Sequence, residues 1–316
     1  ADYMVEIGLD GIVHGQAGGE AVDIGLSMDE NLSKSLYTDS KEIALLQNLI
    51  DAGHSIEEED RQKILGAWMK YNIELLKYSI HVADTLNKKG ILKYDKINIH
   101  PGFVKGKVQG RNFYHEEEVL ENIVGHFLEL PISKFTFETI PLFHSHNLEE
   151  LDIRKMMKRE YANYGVGAHP IHMFWLLHSL KERFGEAPPL VIDFTHTQVA
   201  YNQILSITNQ IGMPYPFYNS ILREFLMLET APICHLSGPT DSLVDNHGGF
   251  LKNPKSKGQY MYGVQEGLYR LMQKHDELIV VVEMDMKSLI DGKKQLRALK
   301  KDYFSFDRIG LMTSNS

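Results

Sequence analysis

The stretch Leu190-Val191-Ile192-Asp193-Phe194-Thr195-His196 decides how this chain reads. Three apolar β-formers follow Pro188 and Pro189 and run straight into a carboxylate, with an imidazole three residues on. A strand buried on both faces has this composition, and parallel sheets covered by helices are built from such strands. Working outward, Lys96–His100 (KINIH), Lys134–Ile140 (KFTFETI), Pro232–Leu236 (PICHL) and Leu278–Glu283 (LIVVVE) have the same character. Tyr3–Leu9 and Ala21–Leu26 are candidates for earlier strands, and residues 10–45 are otherwise left unassigned. Between the runs lie longer stretches with apolar residues at helical spacing: Glu59–Asn87, Glu116–Leu130, Pro170–Phe184, Tyr218–Glu229 and Tyr260–His275. Ser55 and Glu58 form a capping box ahead of the first. Alternation of this kind predicts an α/β fold with a parallel sheet. The 316 residues suit a (β/α)8 TIM barrel as a single domain, residues 1–316, with a doubly wound open sheet as the alternative.

Each of the five runs ends in a side chain able to bind metal. These are His100, Glu138, Asp193 with His196 in the following turn, His235, and Glu283. Asp245 and His247 follow the fourth run as D-N-H. In a barrel the C-terminal strand ends converge on one mouth. Carboxylates gathered there repel one another unless cations neutralise them. Mixed imidazole and carboxylate ligands suit Zn2+, Mn2+ or Fe2+ better than Ca2+ or Mg2+.

Two loops flank these strand ends. The first reads FVKGKVQGRNFYH and carries Lys105, Lys107 and Arg111 among Phe103, Phe113 and Tyr114. The second reads GGFLKNPKSKGQYMYG and carries Lys252, Lys255 and Lys257 among Phe250, Tyr260 and Tyr262. Cations and aromatics on flexible loops suit phosphate contacts and stacking on an unstacked nucleotide. The stretches 142–188 and 197–230 read as long loops that would otherwise serve as a lid. His144 and His146 lie beyond Glu138, and His169, His172 and His178 accompany Trp175 on a helix read as packing in the core or a lid. Cys234 precedes His235 on its strand, so it should face away from the mouth as a packing residue.

The bulk numbers narrow the class. With one cysteine an internal disulfide is excluded, and a reducing, cytoplasmic setting is expected. No apolar run is long enough to span a bilayer, so no membrane partner is expected. A net charge of -9 removes any whole-protein basic footprint and leaves only local cationic loops for a polyanion.

In their order the motifs resemble those of the xylose-isomerase-like barrel superfamily, nearest to endonuclease IV and the UV-damage endonuclease. The likeness runs through His100-Pro101-Gly102, Glu138, Asp193 with His196, His235-Leu236, Asp245 with His247, and Glu283. The D-x-H step favours the nucleases over the simpler isomerases, which need one metal. The resemblance implies up to three Zn2+ ions, with Mn2+ as the alternative. Glu138 would bridge two ions, and His100 would bind the first. Asp193, His235 and Glu283 would complete the second, and His196, Asp245 and His247 would hold the third. The implied reaction is cleavage of damaged double-stranded DNA at abasic sites, with a metal-bound hydroxide attacking phosphorus. A sugar isomerase or epimerase on the same barrel is the alternative, with Glu138 and Glu283 as the catalytic proton shuttle and a small sugar as substrate. The family carries one more histidine on the strand before HPG, and Leu36–Asp39 offers none.

Overall fold

A computed structural model describes residues 13–16, 57–89, 96–101, 103–105, 107–108, 111–112, 124–125, 127–143, 152, 154, 163–244, 248–252, 254–283 and 291–304. The expected strands at Tyr3–Leu9 and Ala21–Leu26, the Ser55 capping box and most of Glu116–Leu130 lie outside these residues. The chain forms two compact units. One comprises residues 1–138, 154–167 and 172–188, and the other residues 139–153, 168–171 and 189–316.

The first unit is α/β with parallel strands. Strand β1 (Val13–Gln16) pairs with β2 (Ile97–His100), which pairs with a later strand, Phe135–Glu138. The long helix α1 (Glu58–Lys88) precedes β2 and buries Leu76 and Ala83. Ile97 and Ile99 alternate with Asn98 along β2, and Phe135 and Phe137 alternate with Thr136 and Glu138. The apolar face takes Phe127 edge-on, with ring centroids 5.3 Å from Phe135 and 5.7 Å from Phe137. The polar face is buried as well: Asn98, Thr136 and Glu138 are each at most 2% exposed. The apolar-run reading therefore holds, with one polar face sequestered rather than solvated.

The run after His100 is not a free loop. It forms β3 (Phe103–Lys105), β4 (Lys107–Val108) and β5 (Arg111–Asn112). β4 and β5 pair antiparallel across residues 109–110, and β3 pairs antiparallel with β7 (Asn163–Gly165). Numbered in chain order, Phe135–Glu138 is β6. Helix α2 (Pro170–Phe184) follows β7 as the periodicity predicts. Its aromatic residues do not all pack inward: Phe174 and Trp175 are about half exposed, and the His178 ring stacks on Phe174. Of the two placements expected for Trp175 and His178, core or lid, this outward face removes the core.

The second unit has three parallel strands in the order β8 (Leu190–Asp193), β9 (Thr230–Leu236) and β10 (Ile279–Val282). Helix α3 (Phe194–Gln210) starts directly after β8, and α4 (Tyr218–Met227) leads into β9. The long loop expected at 197–230 thus holds α3 besides the helix expected at Tyr218–Glu229. α5 (Lys257–Lys274) returns to β10, and α6 (Gly292–Tyr303) follows. α5 carries glycine at 263 and 267, one turn apart. A Cβ on Gly263 would meet the Tyr218 ring at 2.7 Å, and one on Gly267 the Phe194 ring at 2.5 Å. Two missing methyl groups thus let two aromatic rings lie flush on the helix. Arg223 of α4 then clamps Glu266 of α5 through two bonds of 2.6 and 3.0 Å. Among the described residues, no helix is long and apolar enough to cross a membrane.

Candidate metal centre

In the first unit the strand ends bring His100 and Glu138 together. Parallel register sets Asn98 beside Thr136, and side chains two residues apart share a face, so the next pair along is His100 and Glu138. His100 Nε2 lies 3.7 Å from Glu138 Oε2. Asn98 Nδ2 donates to that same carboxylate oxygen, and Thr136 Oγ1 donates to Asn98 Oδ1 at 3.1 Å. Glu138 is therefore held by an amide that is itself held, as expected of a carboxylate kept in one orientation for a ligand.

The register also supplies something the sequence hid. β1 sets the backbone of His14 opposite Asn98 and that of Gln16 opposite His100. The strand next to HPG thus has a histidine in it, although the segment VHGQ holds one clear apolar residue and falls in the stretch left unassigned from the sequence. No strand pattern is visible in so short a run; only the pairing reveals it.

In the second unit the strand ends gather Asp193, His196, His235 and Glu283. Register pairs Asp193 with His235 and Val281 with His235, and Glu283 N donates to Leu236 O at 3.1 Å, closing the end of β10 against β9. Asp193 and His235 each offer one ligand atom within 4.8 Å of the other. His235 Nδ1 is 3.1 Å from Glu283 Oε1 and 4.0 Å from Asp193 Oδ2. Asp193, His196 and His235 are buried, while the Glu283 side chain is 22% exposed, so the cluster opens to solvent on the Glu283 side.

Asp193 and His196 owe their placement to a helix start. Asp193 is the N-cap of α3, and its Oδ1 accepts from Thr195 N at 2.6 Å and His196 N at 2.8 Å. An aspartate at the N-cap satisfies amides that the helix leaves open and complements the helix dipole. Its other oxygen, Oδ2, is 3.4 Å from His196 Nδ1. His196 lies in the first helical turn, not in a free turn as the sequence suggests. Thr139, the residue after Glu138, fixes both groups. Its hydroxyl accepts from Asp193 N at 2.9 Å and donates to Asp193 O at 3.2 Å, and its carbonyl lies 2.9 Å from His196 Nδ1. A ring nitrogen bonded to a carbonyl carries the proton, which leaves Nε2 as the lone-pair donor.

Buried hydroxyls brace the same turn. Tyr260 donates to Ser237 O at 3.0 Å and lies 3.2 Å from Thr195 Oγ1, which accepts from Ser237 N at 3.1 Å. Tyr218 donates to Phe194 O at 3.1 Å. Burial raises the Tyr218 and Tyr260 phenols well above their usual range, so both stay neutral donors. Beyond β9, Gly238 N donates to Gly248 O at 2.7 Å, and a Cβ on Gly238 would come within 2.2 Å of Gly249 O. Only glycine permits that backbone contact.

Several expected site residues are not among those placed at these strand ends. Asp245 and His247 lie outside the described residues, as do His144 and His146. Lys105, Lys107 and Arg111 fall on β3, β4 and β5, their side chains outside the description. Lys252 and Lys255 are exposed, but Lys257 pairs with Asp302 at 3.2 Å. Phe250 and Tyr260 are each 1% exposed, so neither is available for stacking on a base. Phe250 instead packs on Tyr303, with ring centroids 5.4 Å apart. Cys234 sits beside Ile192 on the face away from His235, fully buried, and burial raises its thiol far above the usual range. The packing role read from the sequence is what the fold gives it.

No family model matches this chain, and no curated protein does. Among solved structures it is similar to a psychrophilic glycoside hydrolase family 10 endo-beta-1,4-xylanase, at 12% identity over 65% of this chain and 70% of the other, with a TM-score of 0.26. An overlap so loose carries no argument about activity.

Proposed function

We propose that this chain is a divalent-metal hydrolase of phosphodiesters, acting on damaged or abasic double-stranded DNA from a (β/α)8 barrel scaffold. The observation that carries the reading is the buried Asp193–His196–His235 group with Glu283 at its open side. Buried carboxylates and imidazoles at strand ends are costly to assemble unless a cation repays them. The donor set of one imidazole, His235, and two carboxylates, Asp193 and Glu283, fits Zn2+ or Mn2+, and the Thr139 carbonyl fixes the His196 ring so that its Nε2 carries the lone pair. Asp193, His235 and Glu283 would hold one metal in this unit, His196 would offer its Nε2 to another, and His100 and Glu138 offer a second ligand pair in the other unit. Bound metal would polarise a phosphoryl oxygen and lower the pKa of water. The chain's own part is positional. Asp193 anchors the α3 start, Thr139 sets the His196 ring, and Asn98 holds the Glu138 carboxylate in place.

A sugar isomerase or epimerase on the same barrel is the second reading. It is favoured by two features of the second cationic loop: Lys257 is neutralised by Asp302, and Phe250 and Tyr260 are committed to the core. Two measurements separate the readings. Elemental analysis of protein purified without chelator should give more than one equivalent of zinc or manganese for the nuclease, and one for the isomerase. A duplex bearing one abasic site should be nicked, and chelator should stop the nicking. One metal equivalent with no nicking would overturn the nuclease reading.

A further inference from the structure

The second unit holds a cavity of about 530 Å3 along α3 that none of the metal-ligand candidates lines. The volume lies within the roughly 300–1,000 Å3 of small-ligand pockets. One wall is a polar stripe of α3: Gln198, Asn202, Ser206 and Asn209, spaced four, four and three residues apart and so on one helix face. Gln198 and His196 are two residues apart, roughly 200° around the helix, so the stripe faces away from the histidine.

The amides of this stripe divide into two groups. Gln198 donates to Ser256 Oγ and accepts from Thr240 N, both at 3.0 Å. Asn202 donates to Thr240 O at 3.1 Å and Ser242 O at 3.2 Å. These two build the wall. Gln259, in the first turn of α5 across the cavity, differs: its Nε2 is buried and meets no acceptor among the described residues. A buried amide N–H without an acceptor is costly, and such groups are usually satisfied by a ligand or water. Asn209 and Ser206 complete the polar rim, and Tyr201 adds an aromatic ring.

Charge restricts the occupant. The lining holds one carboxylate, Asp241, and one ammonium, Lys255. Asp241 is already engaged by Lys255 N at 2.7 Å and Ser256 N at 2.9 Å. Burial opposes its ionisation, but these hydrogen bonds outweigh it and hold the carboxyl below its usual range, so it stays an anion. With the Lys255 ammonium beside it, the lining carries no net charge and favours neither an anion nor a cation. An apolar ligand would strand the amides. Hydroxyl groups, which donate and accept at once, match amides and serines that do the same. We propose that this cavity binds a neutral polyhydroxylated molecule, a small sugar or polyol, independently of any metal.

The test uses the full chain after treatment with EDTA. D-glucose, D-xylose and myo-inositol serve as neutral probes and glucose 6-phosphate as the anionic one, read by saturation-transfer NMR and titration calorimetry. At least one neutral probe should bind, and more tightly than glucose 6-phosphate. Restoring metal should not change that affinity. Gln259→Met keeps the side-chain volume and removes the amide, and Asn209→Ala alters an exposed position. Each should weaken binding about tenfold, roughly the 1.4 kcal/mol of one lost hydrogen bond, with the thermal melt unchanged for Asn209→Ala. Binding by none of the neutral probes would overturn the proposal. So would affinity untouched by both substitutions, or tighter binding of the phosphate. Because chelated protein is used, loss of nicking activity leaves the result standing, and absence of sugar binding leaves the metal reading standing.

Discussion

Glu138 is the residue on which the proposed chemistry is easiest to test. Its carboxylate is 2% exposed, accepts from Asn98 and lies 3.7 Å from His100. Glu138→Gln keeps an oxygen for the Asn98 amide, so the strand should hold and the melting temperature should change little. Metal content should fall and turnover should drop by at least ~100-fold, the upper end of what losing a group that supports a metal site costs. Parent-level metal and turnover in this variant would end the assignment. At this scale the sequence was informative wherever a ligand-type residue closed an apolar run, as at His100, Glu138, Asp193, His235 and Glu283. It misled where a loop motif stood for a surface: Phe250 and Tyr260 sit among lysines in the sequence, yet both are core residues. Nothing local distinguishes an aromatic that stacks on a ligand from one that fills a gap beside Tyr303.

Among the elements, β8 and β9 were legible because burial on both faces leaves a near-continuous apolar signature, whereas β1 carries none. α3 was not, and the reason is physical. Its sequence, FTHTQVAYNQILSITNQ, is rich in Thr, Asn and Gln. Many of these are buried and bonded, as Gln203 is to the Phe143 and Leu243 carbonyls at 3.0 and 2.6 Å, so the apolar stripe that marks a helix is diluted. The available signal was Asp193 itself, an N-cap residue at the end of a strand. Helix contacts give two predictions. Gly267→Ala places a methyl group 2.5 Å from the Phe194 ring and should destabilise the fold by about 1–3 kcal/mol in urea unfolding. An unchanged midpoint would mean that α5 shifts freely. The second concerns acid. Burial works against the Glu266 charge, but Arg223 and Arg270 outweigh it and hold the carboxyl below its usual range. A depressed carboxyl contributes stability above its unfolded pKa of about 4.3 and loses it as pH falls through the lower folded value. Glu266→Gln should therefore destabilise at neutral pH by about 1 kcal/mol or less, with the difference vanishing in acid. A difference that persists at low pH would assign the effect to packing.

For the molecule as a whole, net charge -9 sets the terms of any encounter with DNA. Binding would depend on a few cations working against a repulsive background, so affinity should fall steeply with salt. Neutralising Lys252 and Lys255 should flatten that slope, whereas neutralising Lys257, already paired with Asp302, should hardly alter it. Fluorescence anisotropy on an abasic duplex across a salt series would show both effects, and a salt-independent affinity would exclude a polyanionic substrate. The two oxygens of Asp193 carry a different consequence. One is tied to the first amides of α3, and the other faces His196 and His235. Whatever fills the cluster therefore pulls on the same carboxylate that pins the start of the helix. The Thr195 and His196 amides become a built-in gauge of occupancy: their hydrogen exchange should slow as the cluster fills, readable by mass spectrometry before any substrate is known.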